Sequence, residues 1–305
     1  MSKPRAKRSS LVPVIIVILL LLAGGWAFMT FRAGSTTPVN ILLMGLDEGK
    51  IRTDVVVLAH IDPKQKLVNL LSIPRDTLVE IDCQESKACV SPDKLAHAHA
   101  YGGEDGPLWT VQAVEGLLGV KIDHYIRVDF DGFKQVVDTL GGVDLVIDKD
   151  MDYEDPYAHP PLVIHFQGSP EPQHLDGQKA LGYVRFRSDN RGDIGRTERT
   201  KKFLVALAKK AKSTQGLTKL PSLVTGILPY VQTDIDSATA VALAKSATSV
   251  NLDTVQMATL PGADDSGHPR GWVWIADQEK MAQVVDQLII NPKPPEATPA
   301  AAEGK

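Results

Sequence analysis

The chain contains three apolar runs in quick succession: Asn40-Ile41-Leu42-Leu43-Met44-Gly45-Leu46, Asp54-Val55-Val56-Val57-Leu58-Ala59-His60-Ile61 and Leu67-Val68-Asn69-Leu70-Leu71-Ser72-Ile73. Runs of this length and composition are typical of buried strands. The connections between them are short, and short connections favour antiparallel neighbours. The sequence therefore predicts a three-stranded antiparallel meander at the start of the folded domain.

The meander brings charged residues to one edge of the predicted sheet. The first strand ends at Asp47, the second begins at Asp54, and the third is followed by Arg75 and Asp76. Two carboxylates placed in this way suit Mg²⁺, which binds one or two carboxylates together with substrate phosphate and water. The alternative is that both acids are turn residues that accept hydrogen bonds from backbone amides. Arg75 and Asp76 are equally open to interpretation as a local surface ion pair.

The rest of the chain alternates between helical and extended patterns. Helices interleaved with strands indicate an α/β layer structure around a mixed sheet. About 250 residues lie between the two terminal segments, which is ample for one large domain, and we assign that domain to 39–290. The predicted helices are 108–118, 133–140, 202–212 and 237–248, and the predicted strands are 124–130, 143–147, 162–166 and 257–260.

The N-terminal segment has the pattern of a membrane anchor. A basic tail at 1–10 precedes Leu11–Met29, which holds no charged residue and is long enough to span a bilayer. We predict a single transmembrane helix at 11–31 with the N-terminus in the cytoplasm, because basic residues flank that side. A cleaved signal peptide is the alternative. In either case the domain lies outside the cytoplasmic membrane, between a polar linker at 32–38 and a disordered Pro/Ala-rich tail at 291–305.

Five arginines fall within fifteen residues of a chain whose formal net charge is -4. The alternation in Tyr183-Val184-Arg185-Phe186-Arg187 predicts a strand with Arg185 and Arg187 on one face. Arg196 and Arg199 precede an apolar-periodic helix, where cations oppose the helix dipole. A bound phosphate or pyrophosphate would account for both features. The alternative is a solvated basic face.

The other titratable residues give weaker signals. Cys83 and Cys89 are predicted to form a disulfide, because the domain is assigned to a compartment outside the cytoplasm. The histidines show no shared metal-binding spacing. Lys94, in a polar loop, and Arg127, on a predicted strand, would each be a solvated charge if taken singly. The sequence has no basic stripe interleaved with aromatic residues, which argues against nucleic-acid binding.

The ordered motifs of the chain resemble those of the LytR-CpsA-Psr family. The first apolar run with Asp47, then Arg52-Thr53-Asp54 and Ser72-Ile73-Pro74-Arg75-Asp76, look like the opening motifs of that family. The resemblance extends over roughly 39–212. The chain departs from the family pattern at two places. Thr200 follows Arg199 where members often have Gln, and the insertion that carries Cys83 and Cys89 is not a general family feature. The later motifs are Lys94, Ala100-Tyr101-Gly102-Gly103, Val128-Asp129-Phe130-Asp131-Gly132-Phe133, Leu140-Gly141-Gly142-Val143-Asp144, Leu175-Asp176-Gly177, Tyr183-Val184-Arg185-Phe186-Arg187 and Gly192-Asp193-Ile194-Gly195-Arg196.

The resemblance implies both a fold and a function. The expected fold is a mixed central sheet between helical layers, with an apolar pocket for a polyprenyl chain and one N-terminal transmembrane helix. The expected enzyme moves a glycopolymer from an undecaprenyl-pyrophosphate carrier to a peptidoglycan hydroxyl and forms a phosphodiester. A hydrolase of lipid or nucleotide pyrophosphates, with water as the acceptor, is one alternative, and a non-catalytic wall-associated binding or regulatory protein is another. The oligomeric state and the identity of the glycopolymer cannot be read from the sequence.

The resemblance also assigns roles to individual residues. Asp47 and Asp54 match the family's acids that are associated with Mg²⁺, with Mn²⁺ as an alternative cofactor. Asp76 is a candidate base, although a structural pair with Arg75 is the alternative. The predicted pyrophosphate-binding residues are Arg75, Arg185, Arg187 and Arg196, to which we add Lys94, Arg127 and Arg199.

Overall fold

The computed structural model describes residues 38–62, 64–83, 88–155, 162–186, 199, 202–203, 205–210, 224–237, 240 and 255–293. Four earlier predictions therefore lie outside the described residues: the basic tail at 1–10, the transmembrane helix at 11–31, most of the linker, and most of the C-terminal tail. Arg187 and Arg196 also lie outside them. Within the described ranges, no helix has the length and apolar character that a bilayer crossing requires.

The described domain has fourteen strands and five named helices. The strands are β1 (Val39–Leu46), β2 (Thr53–Asp62), β3 (Leu67–Ile73), β4 (Leu78–Val79), β5 (Asp93–Lys94), β6 (His124–Val128), β7 (Val143–Leu145), β8 (Met151–Asp155), β9 (Leu162–Phe166), β10 (Gln173–Leu175), β11 (Val231–Thr233), β12 (Gln256–Thr259), β13 (Gly262–Asp265) and β14 (Val273–Ala276). The helices are α1 (Leu95–Gly102), α2 (Gly106–Leu118), α3 (Phe130–Thr139), α4 (Gly177–Arg185) and α5 (Gln278–Val285).

Six strands form a mixed central sheet in the order β11-β6-β1-β2-β3-β12. The predicted meander is confirmed, because β1 pairs antiparallel with β2 and β2 pairs antiparallel with β3. The two outer neighbours of the meander are parallel to it, β6 to β1 and β12 to β3. All ten residues of β2 are buried. A central strand covered on both faces has no solvent side, which explains why its stretch at 55–59 is apolar without alternation.

The helices begin at residues that the sequence supplies for that purpose. Asp129, Asp176 and Asp277 each accept a hydrogen bond from the backbone three residues ahead, and so cap α3, α4 and α5. Such caps satisfy backbone amides that have no partner within the helix. Helices α3 and α4 pack closely, since a Cβ added at Gly177 would lie 2.4 Å from the carbonyl oxygen of Lys134. Glycine at that position therefore allows the close approach of the two helices.

The prediction of a strand at Tyr183–Arg187 is wrong, because helix α4 extends through Arg185. Asp176 caps its first turn, and seven of its nine residues are buried. The short alternation of apolar residues with arginine resembled a strand, but this segment continues the capped helix. The predicted polar loop at Lys94 is also wrong, since Lys94 lies in β5.

The sequence predicted several of the other helices and strands and missed some. Helices α2 and α3 and strands β6, β7, β9 and β12 fall where the patterns predict them. The predicted helix 202–212 is helical in its described part, whereas 237–248 lies mostly outside the described residues. The sequence did not predict the β13–β14 hairpin or helix α5, because their apolar patterns are short.

Strand β11 is held on β6 by a pair that should respond to pH. Asp234 accepts hydrogen bonds from His124 Nδ1 and from the backbone amide of Tyr125, both at 3.0 Å. The hydrogen bond to Asp234 raises the pKa of His124 above its usual 6.5. The stabilisation is therefore fully present below pH 6.5 and is lost as the pH rises through the pKa of the folded protein.

We expect His124→Gln to lower the free energy of unfolding most at or below pH 6.5, within the range where Asp234 stays ionised. The difference from wild type should shrink as the pH rises, because the wild-type imidazole loses its charge. Urea unfolding across this pH range measures the difference. A difference that does not vary with pH would show that the pair acts as a neutral hydrogen bond.

Candidate active site

A β-bulge at Asp54 shapes the edge of the central sheet. Gly45 pairs with Val55, so a regular ladder would pair Leu46 with Asp54, but Leu46 pairs with Thr53 instead. Asp54 is thus the extra residue on β2. Bulges of this kind turn a side chain away from the regular pleat and are frequent beside active sites. The bulge accounts for a carboxylate that leaves the regular pleat just before the apolar stretch at 55–59.

Asp54 begins a chain of ion pairs across neighbouring strands. It is 6 % exposed, and its carboxylate contacts Nη1 of Arg75, which follows β3. Nε of Arg75 lies 3.3 Å from Asp76, and Nζ of Lys94 lies 3.0 Å from the other oxygen of Asp76. Burial alone would lower the pKa of Arg75, but the charges of Asp54 and Asp76 outweigh it and raise that pKa. The guanidinium therefore stays charged.

The β4–β5 hairpin brings Lys94 to this network. Leu78 of β4 pairs with Lys94 of β5, and the backbone amide of Ala96 donates to the carbonyl of Arg75 at 2.9 Å. Cys83 and Cys89, which lie between the two strands, are joined by a disulfide. The disulfide is thus in the hairpin whose base carries Arg75, Asp76 and Lys94.

The loop between β1 and β2 is ordered by Asp47. Its Oδ1 accepts hydrogen bonds from the amides of Ile51 at 3.0 Å and Arg52 at 3.2 Å. The Ile51 carbonyl in turn accepts from Nδ1 of His99 at 2.8 Å. Lys50 ties the loop to the end of β6 through Asp129, at 2.7 Å. These contacts fit the interpretation of Asp47 as a turn residue, and they also hold its carboxylate in one orientation.

Buried polar atoms without a partner collect at the same edge. His99 is 3 % exposed, and burial lowers its pKa, so its ring is neutral with the proton on Nδ1. Within the described residues, Nε2 of His99, Nε of Arg127 and Oγ1 of Thr53 have no hydrogen-bond partner. Burial also lowers the pKa of Arg127. Buried polar groups in proteins are normally paired, so this edge has the character of a site that receives a polar ligand.

Arg185 reaches the edge from helix α4. It is 5 % exposed, and its guanidinium carbon lies 4.6 Å from the centre of the Phe130 ring. Phe130 follows β6 closely, so Arg185 lies at the side of the edge that β6 forms. Arg199 has a different environment, since its Nη2 donates to the carbonyl of Phe186 at 3.0 Å. The pyrophosphate-binding roles of both residues remain predictions.

One cluster beside the network had no recognised signal in the sequence. Asp93, which is 3 % exposed, accepts hydrogen bonds from the Tyr101 hydroxyl at 2.6 Å and from His97 Nδ1 at 2.9 Å. Burial and this contact with Asp93 raise the pKa of Tyr101 to about 12. The helical spacing of these residues was visible in the sequence. It becomes informative only when α1 is known to pack beside the ion pairs.

The carboxylates of Asp47 and Asp54 are the groups at this edge that would hold a hard cation. Asp47 and Asp54 offer carboxylate oxygens, which suit Mg²⁺. In the described part of the chain, no group of three or more acidic, histidine or cysteine side chains could hold a metal by itself. A cation here would therefore depend on substrate oxygens and water for its other ligands, as Mg²⁺ commonly does.

Comparisons with known proteins identify the family. The model of the LytR_cpsA_psr family matches residues 28–290. The chain belongs to the LytR_cpsA_psr family. The resemblance that the motifs suggested is thereby confirmed.

The relatives within the LytR_cpsA_psr family carry transferase names. TagV of Bacillus subtilis (strain 168), a polyisoprenyl-teichoic acid–peptidoglycan teichoic acid transferase, is 33 % identical over 235 residues, which cover 74 % of this chain and 57 % of TagV. TagU of Bacillus cereus (strain ATCC 14579) has the same transferase name and is 36 % identical over 208 residues, covering 67 % of this chain and 62 % of TagU. The match thus spans about three fifths of the length of these curated relatives.

Solved structures support the same family fold. The crystal structure of B. subtilis TagV has a TM-score of 0.68 and 29 % identity, and the match covers 85 % of this chain and all of that one. A structure described as TagT bound to LI-WTA has a TM-score of 0.62 and 28 % identity, with 82 % and 89 % covered. The mixed α/β architecture is therefore that of the LytR_cpsA_psr family.

The buried carboxylate at the bulge makes a direct prediction about stability. Arg75→Met should destabilise the protein by about 3 kcal/mol, because it leaves the charge of Asp54 buried without its guanidinium partner. The double variant Arg75→Met/Asp54→Leu should recover much of that loss. Lys121→Met, which breaks an exposed pair with Glu115, should cost less than about 1 kcal/mol. An Arg75→Met variant as stable as the Lys121→Met control would show that Arg75 does not neutralise Asp54.

Proposed function

We propose that this chain transfers a glycopolymer from an undecaprenyl-pyrophosphate carrier to a hydroxyl group of peptidoglycan, forming a phosphodiester link during cell-wall assembly. The observation that carries the proposal is the charged sheet edge, where Asp54, Arg75, Asp76 and Lys94 form one network. The transferase names of the family relatives support the choice of donor and acceptor. These names do not specify which glycopolymer this chain would transfer.

The proposed location follows from the proposed substrates. The carrier lipid lies in the cytoplasmic membrane, and the acceptor lies outside it. The uncharged segment at 11–31 would anchor the chain as a single helix with its N-terminus in the cytoplasm. The domain at 39–290 would then work at the outer face of the membrane.

The proposed chemistry depends on neutralising charge on the pyrophosphate. Arginine side chains suit this task, because the guanidinium group binds two phosphate oxygens at once. In our proposal Arg75, Arg127, Arg185 and Lys94 bind the donor from this edge, together with Arg187, Arg196 and Arg199. The unpartnered Nε of Arg127 within the described residues supports its part in that set.

Mg²⁺ is the proposed cofactor, held by Asp47 and Asp54, with Mn²⁺ as a substitute. When bound, a divalent cation neutralises negative charge on phosphoryl oxygens. The hydrogen bonds to Oδ1 of Asp47 would orient one carboxylate for this task. The bulge at Asp54 would direct the other.

Asp76 is better suited to positioning than to accepting a proton. One of its oxygens faces Arg75 and the other faces Lys94. Both oxygens are therefore engaged with cations that would themselves contact the donor. We propose that Asp76 holds Arg75 and Lys94 at a fixed spacing, and we leave the general base unassigned.

Product analysis with the full-length chain separates transfer from hydrolysis. The donor is a polyprenyl-pyrophosphate-linked glycan, and the acceptor is a peptidoglycan oligomer. We expect release of polyprenyl phosphate to accompany glycan attached to the acceptor. Equal release without acceptor, with free glycan phosphate as the product, would replace the transferase proposal with a hydrolase. No release under either condition would favour a non-catalytic binding protein.

The metal proposal predicts the behaviour of two isosteric variants. Asp47→Asn and Asp54→Asn should each raise the Mg²⁺ concentration for half-maximal turnover at least roughly tenfold, since loss of even an outer contact typically costs that much in metal affinity. Asp131→Asn is the matched control, because Asp131 is an exposed acid at the same edge that pairs with Lys50 and Lys134. Unchanged Mg²⁺ dependence in either variant would remove that residue from the metal site.

The arginine proposal predicts that the shape of the Arg185 guanidinium matters as well as its charge. Arg185→Ala should reduce turnover at least roughly tenfold, because one hydrogen bond to a charged group is typically worth about 1.5–3 kcal/mol. Arg185→Lys should restore little, since lysine keeps the charge and loses the planar fork. Rates are compared per folded molecule, using melting curves, because Arg185 is buried. If lysine works as well as arginine, a solvated basic face is the better interpretation.

A further inference from the structure

The β13–β14 hairpin lies directly beside the ion-pair network. The backbone amide of Trp274 in β14 donates to the carbonyl of Asp76 at 2.9 Å, and Trp274 forms a parallel bridge with Thr77. The hairpin is thus attached to the segment that carries Arg75 and Asp76. The loop at 266–272 connects β13 to β14. The attachment of β14 to Asp76 and Thr77 places this loop at the rim of the proposed site.

Two side chains of the loop are exposed and could contact a ligand. Trp272 is 43 % exposed, and Arg270 is exposed. Within the described residues, the Arg270 guanidinium has no carboxylate partner, whereas Arg75, Lys94 and Lys50 all have one. The positive charge of Arg270 lowers the pKa of Tyr101 against the larger effect of burial. The Arg270 guanidinium thus acts electrostatically on the Asp93–Tyr101 cluster that adjoins Lys94.

The order of strands separates this hairpin from the Arg185 side of the edge. Arg185 packs on Phe130 after β6, while the hairpin follows β12, and β1, β2 and β3 lie between those two strands. The four strand spacings from β6 to β12 amount to about 19 Å. Asp54, Arg75 and Asp76 lie between the two sides.

We propose that Arg270 and Trp272 form a subsite for the peptidoglycan acceptor. This inference rests on the proposed transferase function. Attacking and leaving oxygens in phosphoryl transfer are roughly in line, so an acceptor should approach from the side opposite the carrier. With the carrier lipid at the Arg185 side and its pyrophosphate over the central ion pairs, the hairpin side remains for the acceptor. Peptidoglycan offers carboxylates on its peptide stems, which suit Arg270, and sugar rings, which can pack against the exposed Trp272 side chain.

The test uses steady-state transfer by the full-length chain with two acceptors. One is an uncrosslinked peptidoglycan oligomer with free stem carboxylates, and the other is the same oligomer with those carboxylates amidated. Arg270→Ala and Trp272→Ala are compared with wild type. Lys121→Ala is the matched control, since Lys121 is an exposed cation whose backbone contacts Asn40 at the opposite end of β1.

We expect Arg270→Ala to raise the acceptor KM roughly tenfold, as for the loss of one charge-assisted hydrogen bond, and to leave the donor KM unchanged. Wild type should show the same rise with the amidated oligomer, and Arg270→Ala should add nothing further to it. Trp272→Ala should raise KM for both acceptors, with partial recovery in Trp272→Tyr. The control should behave as wild type.

Three outcomes would overturn the subsite. A rise in donor KM would assign Arg270 to phosphates of the glycopolymer, an unchanged acceptor KM would leave the hairpin without a role, and a control that matches Arg270→Ala would indicate a general charge effect. If wild type transfers nothing, the proposed function fails, and calorimetric binding of the free-carboxylate oligomer then decides the inference. Weaker binding by Arg270→Ala would support the subsite, and equal or absent binding would refute it.

Discussion

The ion pair between the carboxylate of Asp54 and the guanidinium of Arg75 is the constraint on which the sheet edge depends. A carboxylate buried this deeply is costly unless a cation compensates it, and the compensating arginine follows the neighbouring strand. Arg75 is in turn held by Asp76, and Asp76 by Lys94. One buried charge therefore determines the placement of three further charged residues from two separate parts of the chain.

The same constraint explains the surrounding architecture. The bulge turns Asp54 out of the regular ladder, the β4–β5 hairpin returns Lys94 to Asp76, and β14 binds the backbone of Asp76. A site whose residues lie on strands and helices is held more precisely than one built on loops. Rigid placement matters for phosphoryl transfer, because catalysis of that reaction consists largely of positioning and charge stabilisation.

The proposed site has two different sides. Its β6 side carries Arg185 on the Phe130 ring, and its β12 side carries the hairpin with Arg270 and Trp272. The central ion pairs lie between these two sides. This arrangement suits a reaction that joins two large substrates, because each would have its own approach to the central charges. The family relatives, whose names specify a polyisoprenyl-linked donor and a peptidoglycan acceptor, have the same two kinds of substrate to accommodate.

The sequence by itself determined the meander, the mixed α/β class, the family and most of the charged residues at the edge. It did so because continuous apolar runs and short connections are local signals of buried antiparallel strands. It could not determine the bulge at Asp54, since a one-residue register shift depends on which partner each residue of β2 meets. It mistook Tyr183–Arg187 for a strand, because five residues are too few to separate a period of two from a helical face. Only the tertiary structure joined Asp76 to Lys94 and Trp274, which are distant in sequence and meet because β3, β5 and β14 pack at one edge.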